Sequence, residues 1–126
     1  MTKRDFSGVW HSSYTYTSSR REGVFTSEYD VKIHKKGDHL IIESLPNKEK
    51  SYLIMRLTFN DRDGRVVTGT FEEHTSPTGH YEGSICPGAI QLILDEDGNA
   101  FRGKYVAYSR SMVVFANEWT ITRKAE

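Results

Sequence analysis

Apolar and polar side chains alternate along much of this chain. The clearest run starts at Val24, where every second residue from Phe25 to Ile33 falls on one side of an extended chain and polar residues fall on the other. A period of two is the mark of a half-buried β-strand. No segment shows a helical period of useful length, so the pattern predicts an all-β protein.

Clusters of Gly, Pro, Asn and Asp divide this pattern into strand-like segments, as turns do in a meander of antiparallel strands. Residues 86–88, Cys-Pro-Gly, interrupt one of these segments. We expect a bulge or bend there because proline cannot donate a hydrogen bond to a β-ladder. About eight to ten strands are predicted, from the segments 6–16, 24–33, 39–43, 51–59, 65–73, 80–85, 89–94, 101–109 and 113–123.

A short pattern, apolar-x-Gly-x-aromatic, occurs three times in the chain. Each copy places two bulky groups and a glycine on one face of a strand. Bare backbone beside large inward side chains suits a tightly curved small barrel, and closing the sheet removes its exposed edges. We therefore predict an antiparallel up-and-down β-barrel, with a two-sheet sandwich as the alternative. The copies begin at Phe6, Val67 and Phe101.

Length, charge and cysteine content narrow the functional classes. The 126 residues fit one domain, predicted to span 1–126, and the 17 basic residues balance the 17 acidic ones. This balance does not favour direct DNA binding. The one cysteine, Cys86, allows no internal disulfide, and neither a secretory signal nor a membrane span is visible. We expect a cytoplasmic protein.

The first and last strands carry a resemblance to a known superfamily. Residues 6–10, Phe-Ser-Gly-Val-Trp, resemble the opening strand of the calycins, which include lipocalins, fatty-acid-binding proteins and avidins. In many of those barrels a basic residue of the final strand packs across the tryptophan. The resemblance implies a calycin-like barrel in which Arg123 caps Trp10 by a cation–π contact.

Longer stretches resemble bacterial sensor domains. Residues 68–83, 88–92 and 103–105 are similar to a barrel domain that follows helix-turn-helix segments in transcriptional regulators of the XRE type. A more distant likeness is to the Cap15-type receptor barrel of CBASS antiphage defence, which recognises a cyclic nucleotide. Both resemblances imply that the chain senses a small molecule. In those families DNA binding and membrane attachment belong to helical segments outside the barrel, so we expect this chain to be either an excised sensor domain or a free-standing relative.

Motifs for catalysis or metal binding are weak. No nucleophile elbow or phosphate-cradling glycine loop occurs. Glu73, His74 and His80 could supply three metal ligands, but their spacing is unspecific. Glu72 and Glu73 are adjacent, so on a strand they face opposite ways and cannot form a carboxylate pair. We predict no catalytic residue, no metal and no cofactor, with a small barrel enzyme as a remaining alternative.

The binding hypothesis depends on aromatic and polar side chains that strand phase turns inward. Such side chains build small-molecule sites, stack on bases and meet phosphates. Tyrosines near strand ends, among them Tyr16 and Tyr81, predict an aromatic mouth. The partner is then a small molecule or nucleotide. The alternative is a self-filled barrel without a small ligand, an interaction module that assembles with other proteins or forms homo-oligomers. The predicted ligand residues are Tyr14, Tyr16, Tyr29, Arg56, Tyr81, Tyr105, Ser109 and Trp119.

Overall fold

The computed structural model describes residues 5–17, 23–78, 83–109 and 111–124. These residues form eight antiparallel strands, each paired with the next, and β8 pairs back onto β1. The predicted closed up-and-down barrel is confirmed. The strands are β1 (Trp10–Thr17), β2 (Val24–Lys36), β3 (His39–Ser44), β4 (Tyr52–Phe59), β5 (Val66–His74), β6 (Ile85–Leu94), β7 (Ala100–Tyr108) and β8 (Val114–Arg123).

Closure brings the two ends of the chain together. Trp10 lies opposite Arg123 in the β1–β8 ladder, and Tyr14 lies opposite Trp119. The Arg123 guanidinium carbon sits 4.3 Å from the centre of the Trp10 ring, within cation–π range. Its Nη1 and Nη2 donate to the carbonyls of Ser7 and Asp5, at 2.8 and 2.7 Å. The predicted tryptophan–arginine closure is therefore confirmed.

Aromatic side chains fill the end of the barrel at which β1 begins. Phe6 is buried there, although it precedes the first strand, and its ring lies 6.0 Å from that of Phe101 and 6.4 Å from that of Phe59. The Trp10 indole N–H donates to the Phe6 carbonyl at 3.1 Å. This plug closes one end of the barrel, so any opening to the interior lies at the other end.

The expected break at residues 86–88 takes a different form. β6 is one continuous strand, and Cys86, Pro87 and Gly88 pair residue by residue with β5 without a bulge. The ladder to β7, in contrast, stops at Ala89, opposite Val106. On that side Pro87 has no ladder bond to lose, which explains how proline is accommodated. The interruption separates β6 from β7 instead of dividing β6 in two.

The glycines of the repeated pattern serve different purposes. A Cβ on Gly69 would lie 1.9 Å from the carbonyl oxygen of Arg56, and one on Gly103 would lie 1.9 Å from that of Gln91. Both glycines therefore accommodate a neighbouring backbone, not the large side chains that we expected. Gly8 has open space around it but a φ of +91°. Among the described residues, no helix has the length and apolar character needed to span a lipid bilayer.

Candidate functional site

A cavity of about 420 Å³ opens at the end of the barrel away from Trp10, and both buried and exposed residues line it. Its described lining comes from the last residues of β1, β5 and β7, from the early residues of β2, β6 and β8, and from loop residues beside these strand ends. A volume of this size falls in the range of small-molecule pockets. The barrel is thus solid at one end and hollow at the other.

Four aromatic side chains form a floor between the packed end and the cavity. The Tyr14 ring stacks on Trp119 with 4.1 Å between centroids, while Phe71 and Tyr105 meet the same indole edge-on at 4.9 and 5.2 Å. The indole N–H of Trp119 donates to Ser12 Oγ at 2.8 Å, so this buried polar atom is satisfied. Because the other three rings all pack against the Trp119 indole, the four side chains hold one another in place.

A buried carboxylate lies beside this floor. Glu73 lines the cavity and is 8% exposed. Its Oε1 accepts a hydrogen bond from the hydroxyl of Tyr14, and its Oε2 accepts from the Tyr29 hydroxyl at 2.6 Å and from Ser27 Oγ at 3.2 Å. Hydrogen bonds to an ionised acceptor are the stronger kind, and they hold the carboxylate in one orientation.

Strand phase puts Glu73 inside. On β5, Val67 and Phe71 point into the barrel, and Glu73 follows two residues after Phe71. Glu72 takes the opposite face, where its carboxylate lies 3.9 Å from Arg56 and 3.2 Å from His74. The sequence analysis already separated the two glutamates in this way. One of them had to face inward.

Burial keeps the tyrosines of this cluster protonated. It raises the pKa of Tyr14 well above its ordinary value, and the negative charge of Glu73 raises that pKa further. Burial and then Glu73 raise the pKa of Tyr29 in the same way. Burial also raises the pKa of Tyr105 to about 12. The hydroxyls therefore remain hydrogen-bond donors throughout the physiological pH range.

The described lining carries one negative charge and no basic side chain. None of the ion pairs within the described residues includes Glu73. In the described part of the chain there is also no cluster of three metal-ligating side chains. The considered set of Glu73, His74 and His80 does not form among the described residues, because His74 faces outward and His80 lies outside them.

In the described part of the chain, exposed apolar side chains stand at the rim of the cavity. Met112, Val113 and Val114 are 75%, 60% and 70% exposed, and Ile85 and Tyr108 lie in the same region of the barrel. Since the β6–β7 ladder stops at Ala89, the wall between β6 and β7 loosens towards this rim. The cavity is therefore reached between hydrophobic side chains at the end of the barrel.

Four of the predicted ligand residues line the cavity: Tyr14, Tyr16, Tyr105 and Ser109. Tyr29 and Trp119 are inside the barrel as predicted but lie deeper, where they support Glu73 and the aromatic floor. Neither residue belongs to the described lining of the cavity, and their predicted contact with a ligand stays a prediction.

Two predicted ligand residues are not brought to the cavity by the described structure. Arg56 lies on the outer face of β4, between the inward positions Met55 and Leu57. It faces Glu72 there and cannot meet a ligand inside the barrel. Tyr81 lies outside the described residues.

Sequence reasoning missed Glu73, Phe71 and Phe115 as cavity residues. A signal for the first two was present, because the repeat at Val67 fixes the phase of β5 and places both on its inner face. An enzyme would be favoured by a histidine within hydrogen-bonding reach of a carboxylate inside the cavity. No such pair occurs in the described lining. The expectation that the protein is not an enzyme stays a prediction.

Searches of protein-family models and of curated proteins found no match to this chain.

Proposed function

We propose that this protein is a binding module that senses a small molecule in the cavity of its barrel. The observation that carries the proposal is the half-filled interior: a fixed aromatic floor and an oriented carboxylate border about 420 Å³ of space. Mostly apolar walls with a few placed polar groups are typical of small-molecule sites. Binding would act through a change in association or stability, without turnover.

The resemblances to XRE-associated barrels and to the Cap15 receptor favour a signalling ligand, and a cyclic nucleotide is the specific candidate. Aromatic side chains such as Tyr16 and Tyr105 could stack on a base. The phosphates would have to stay at the mouth, because the described lining offers the Glu73 carboxylate and no cation. A cyclic nucleotide would therefore enter base first.

A binding panel tests this proposal. It would contain cyclic di- and trinucleotides and small aromatic amines, alcohols and carboxylates, with thermal unfolding as the readout. A ligand present at 100 times its dissociation constant should add about 2.7 kcal/mol to the free energy of unfolding. No shift with any compound would contradict the proposal.

A pair of neighbouring variants locates the site. Ala107 lines the cavity, whereas Val106 is 46% exposed on the outer face of the same strand. In Ala107→Trp the indole should fill the cavity and abolish the shift, and in Val106→Trp the shift should persist. A ligand whose effect survives Ala107→Trp binds elsewhere, and the cavity is then not the sensor.

A second candidate function is assembly through the rim, which the exposed Met112, Val113 and Val114 favour. Exposed apolar patches on soluble proteins often mark interaction sites. Sedimentation at rising concentration tests this: Val114→Glu should shift a dimer towards monomer. A wild-type protein that stays monomeric at high concentration contradicts self-assembly.

A further inference from the structure

The hydrogen bonds of Glu73 leave part of its carboxylate unused. An ionised carboxylate can accept about four hydrogen bonds, two on each oxygen. The described residues supply three donors: Tyr29 and Ser27 on Oε2, and Tyr14 on Oε1. One acceptor position therefore remains on Oε1, on a side chain that borders the cavity.

Among the described residues, no basic side chain compensates the charge of this group. Glu73 is almost fully buried, and the described residues provide it with hydroxyl donors but with no ion pair. Burying a charge is unfavourable unless it is both hydrogen-bonded and paired with an opposite charge. Hydroxyl groups provide hydrogen bonds to the carboxylate but carry no opposite charge. A cationic N–H group in the cavity would provide both.

The walls around the carboxylate are suited to the same kind of ligand. The cavity is lined by several aromatic side chains, among them Tyr14, Tyr16, Phe71, Tyr105 and Phe115. The faces of aromatic rings attract cations, and this attraction is stronger where water is excluded. The same rings accept an apolar ligand body by stacking. An anionic group would meet the carboxylate and the negative ring faces together, and it would be repelled by both.

From these contacts we infer that the cavity selects ligands whose inserted end is a cationic nitrogen group on an aromatic or apolar body, with Glu73 as the counter-ion. This inference rests on the proposed binding of a small molecule in the cavity, and it favours a cationic ligand over the cyclic nucleotide, whose inserted base would be neutral at pH 7. The ammonium N–H would take the vacant acceptor position of Oε1, while Tyr14, Tyr29 and Ser27 keep the carboxylate in place. Selectivity would then come from charge, and affinity would come from the rings.

Three indoles of similar size test the inference: tryptamine, which is cationic at pH 7, the neutral 3-ethylindole and the anionic indole-3-propionate. Their dissociation constants would be measured by NMR titration of the wild-type protein and of two variants. Glu73→Gln removes the cavity charge and keeps a hydrogen-bonding side chain of the same shape. Glu72→Gln removes the same charge from the neighbouring residue on the outer face, so it controls for the net charge of the protein.

For the wild type we expect tryptamine to bind at least tenfold more tightly than indole-3-propionate, with 3-ethylindole in between. Glu73→Gln should reduce this preference to less than threefold, and Glu72→Gln should leave it unchanged. If all three indoles bind the cavity equally, the charge selection is wrong while the binding function stands. If none of them binds at millimolar concentration, both are overturned. An equal loss of preference in the two variants would assign it to net charge and overturn the role of Glu73.

Discussion

The clearest test of how this barrel is built lies in its repeated glycines. Gly8, Gly69 and Gly103 occupy the same place in the same short pattern, yet the structure gives them different constraints. At Gly69 and Gly103 a methyl group would meet the carbonyl oxygen of a neighbouring strand. At Gly8 a methyl group would meet nothing within 4 Å, and the constraint is the positive φ.

The cost of Gly69→Ala follows from the distances. The new Cβ would lie 1.9 Å from the Arg56 carbonyl oxygen, and an ordinary contact needs 3.4 Å, so the strands must separate by about 1.5 Å. That movement lengthens the nearby ladder bonds beyond hydrogen-bonding distance. Losing two such bonds at about 1.5 kcal/mol each, including the penalty for unsatisfied groups, gives about 3 kcal/mol. Gly103→Ala should cost a similar amount.

Gly8→Ala should cost much less. A left-handed conformation is unfavourable for alanine by about 1–2 kcal/mol. Part of this is offset because alanine has fewer conformations than glycine in the unfolded chain. The net loss should be about 1 kcal/mol.

Urea unfolding of the three variants measures these differences directly, provided that the dependence on urea concentration keeps its wild-type slope. The melting temperature should fall by about 10 °C for Gly69→Ala and Gly103→Ala, and by less than about 5 °C for Gly8→Ala. If Gly8→Ala proves as harmful as the other two, or if Gly69→Ala costs less than 1 kcal/mol, the close approach of the strands is not what selects glycine there.

Three further predictions concern the surface, the closure and the mouth. Hydrogen bonds to nearby carboxylates, Glu28 first, raise the pKa of His11 above 6.5. The contribution of His11 to the free energy of unfolding is therefore complete below pH 6.5 and is lost as the pH rises through the raised pKa. Between pH 6 and 8.5 the free energy of unfolding should fall by less than about 1 kcal/mol because of this group, and that fall should disappear in His11→Gln. Arg123→Lys keeps a positive charge near Trp10 but loses the planar guanidinium, whose Nη1 and Nη2 reach the two carbonyls from separate positions while the group lies over the indole. The free energy of unfolding should therefore fall by about 1–2 kcal/mol in a urea titration. Cys86 is exposed and borders the cavity. Methylthiolation of its thiol should therefore weaken ligand binding in the cavity several-fold when the titration is repeated, and an unchanged affinity would place the ligand away from β6.

Much of the architecture follows from short-range patterns. Alternation located the strands to within a few residues, apart from β6. The resemblance of residues 6–10 to the opening strand of the calycins predicted the contact between Trp10 and Arg123 that closes the barrel. Alternation also predicts the outward orientation of Arg56, because Leu53, Met55 and Leu57 define the inner face of β4. The error there came from weighing chemistry before phase.

Other features depend on the closed barrel as a whole. Tyr29 and Tyr16 have the same phase on neighbouring strands, yet one is sealed under Glu73 and the other lines the cavity. The difference depends on how far along the barrel the plug of aromatic side chains extends, which is a property of eight strands together. The opening between β6 and β7 is of the same kind, since local sequence indicates a break at Pro87 but not which ladder it ends.

Glu73 is best explained by considering what a purely structural residue would do in its place. Leucine at 73 would remove the cost of burying a charge, but it would leave the hydroxyls of Tyr14 and Tyr29 without their acceptor. Replacing all three with apolar residues would avoid both costs, and buried charge clusters often tolerate such replacement or gain stability from it. A barrel that only had to be solid would have no use for the cluster. The proposed ligand would complete this combination of a held carboxylate, an acceptor position that no described donor occupies and adjoining empty space.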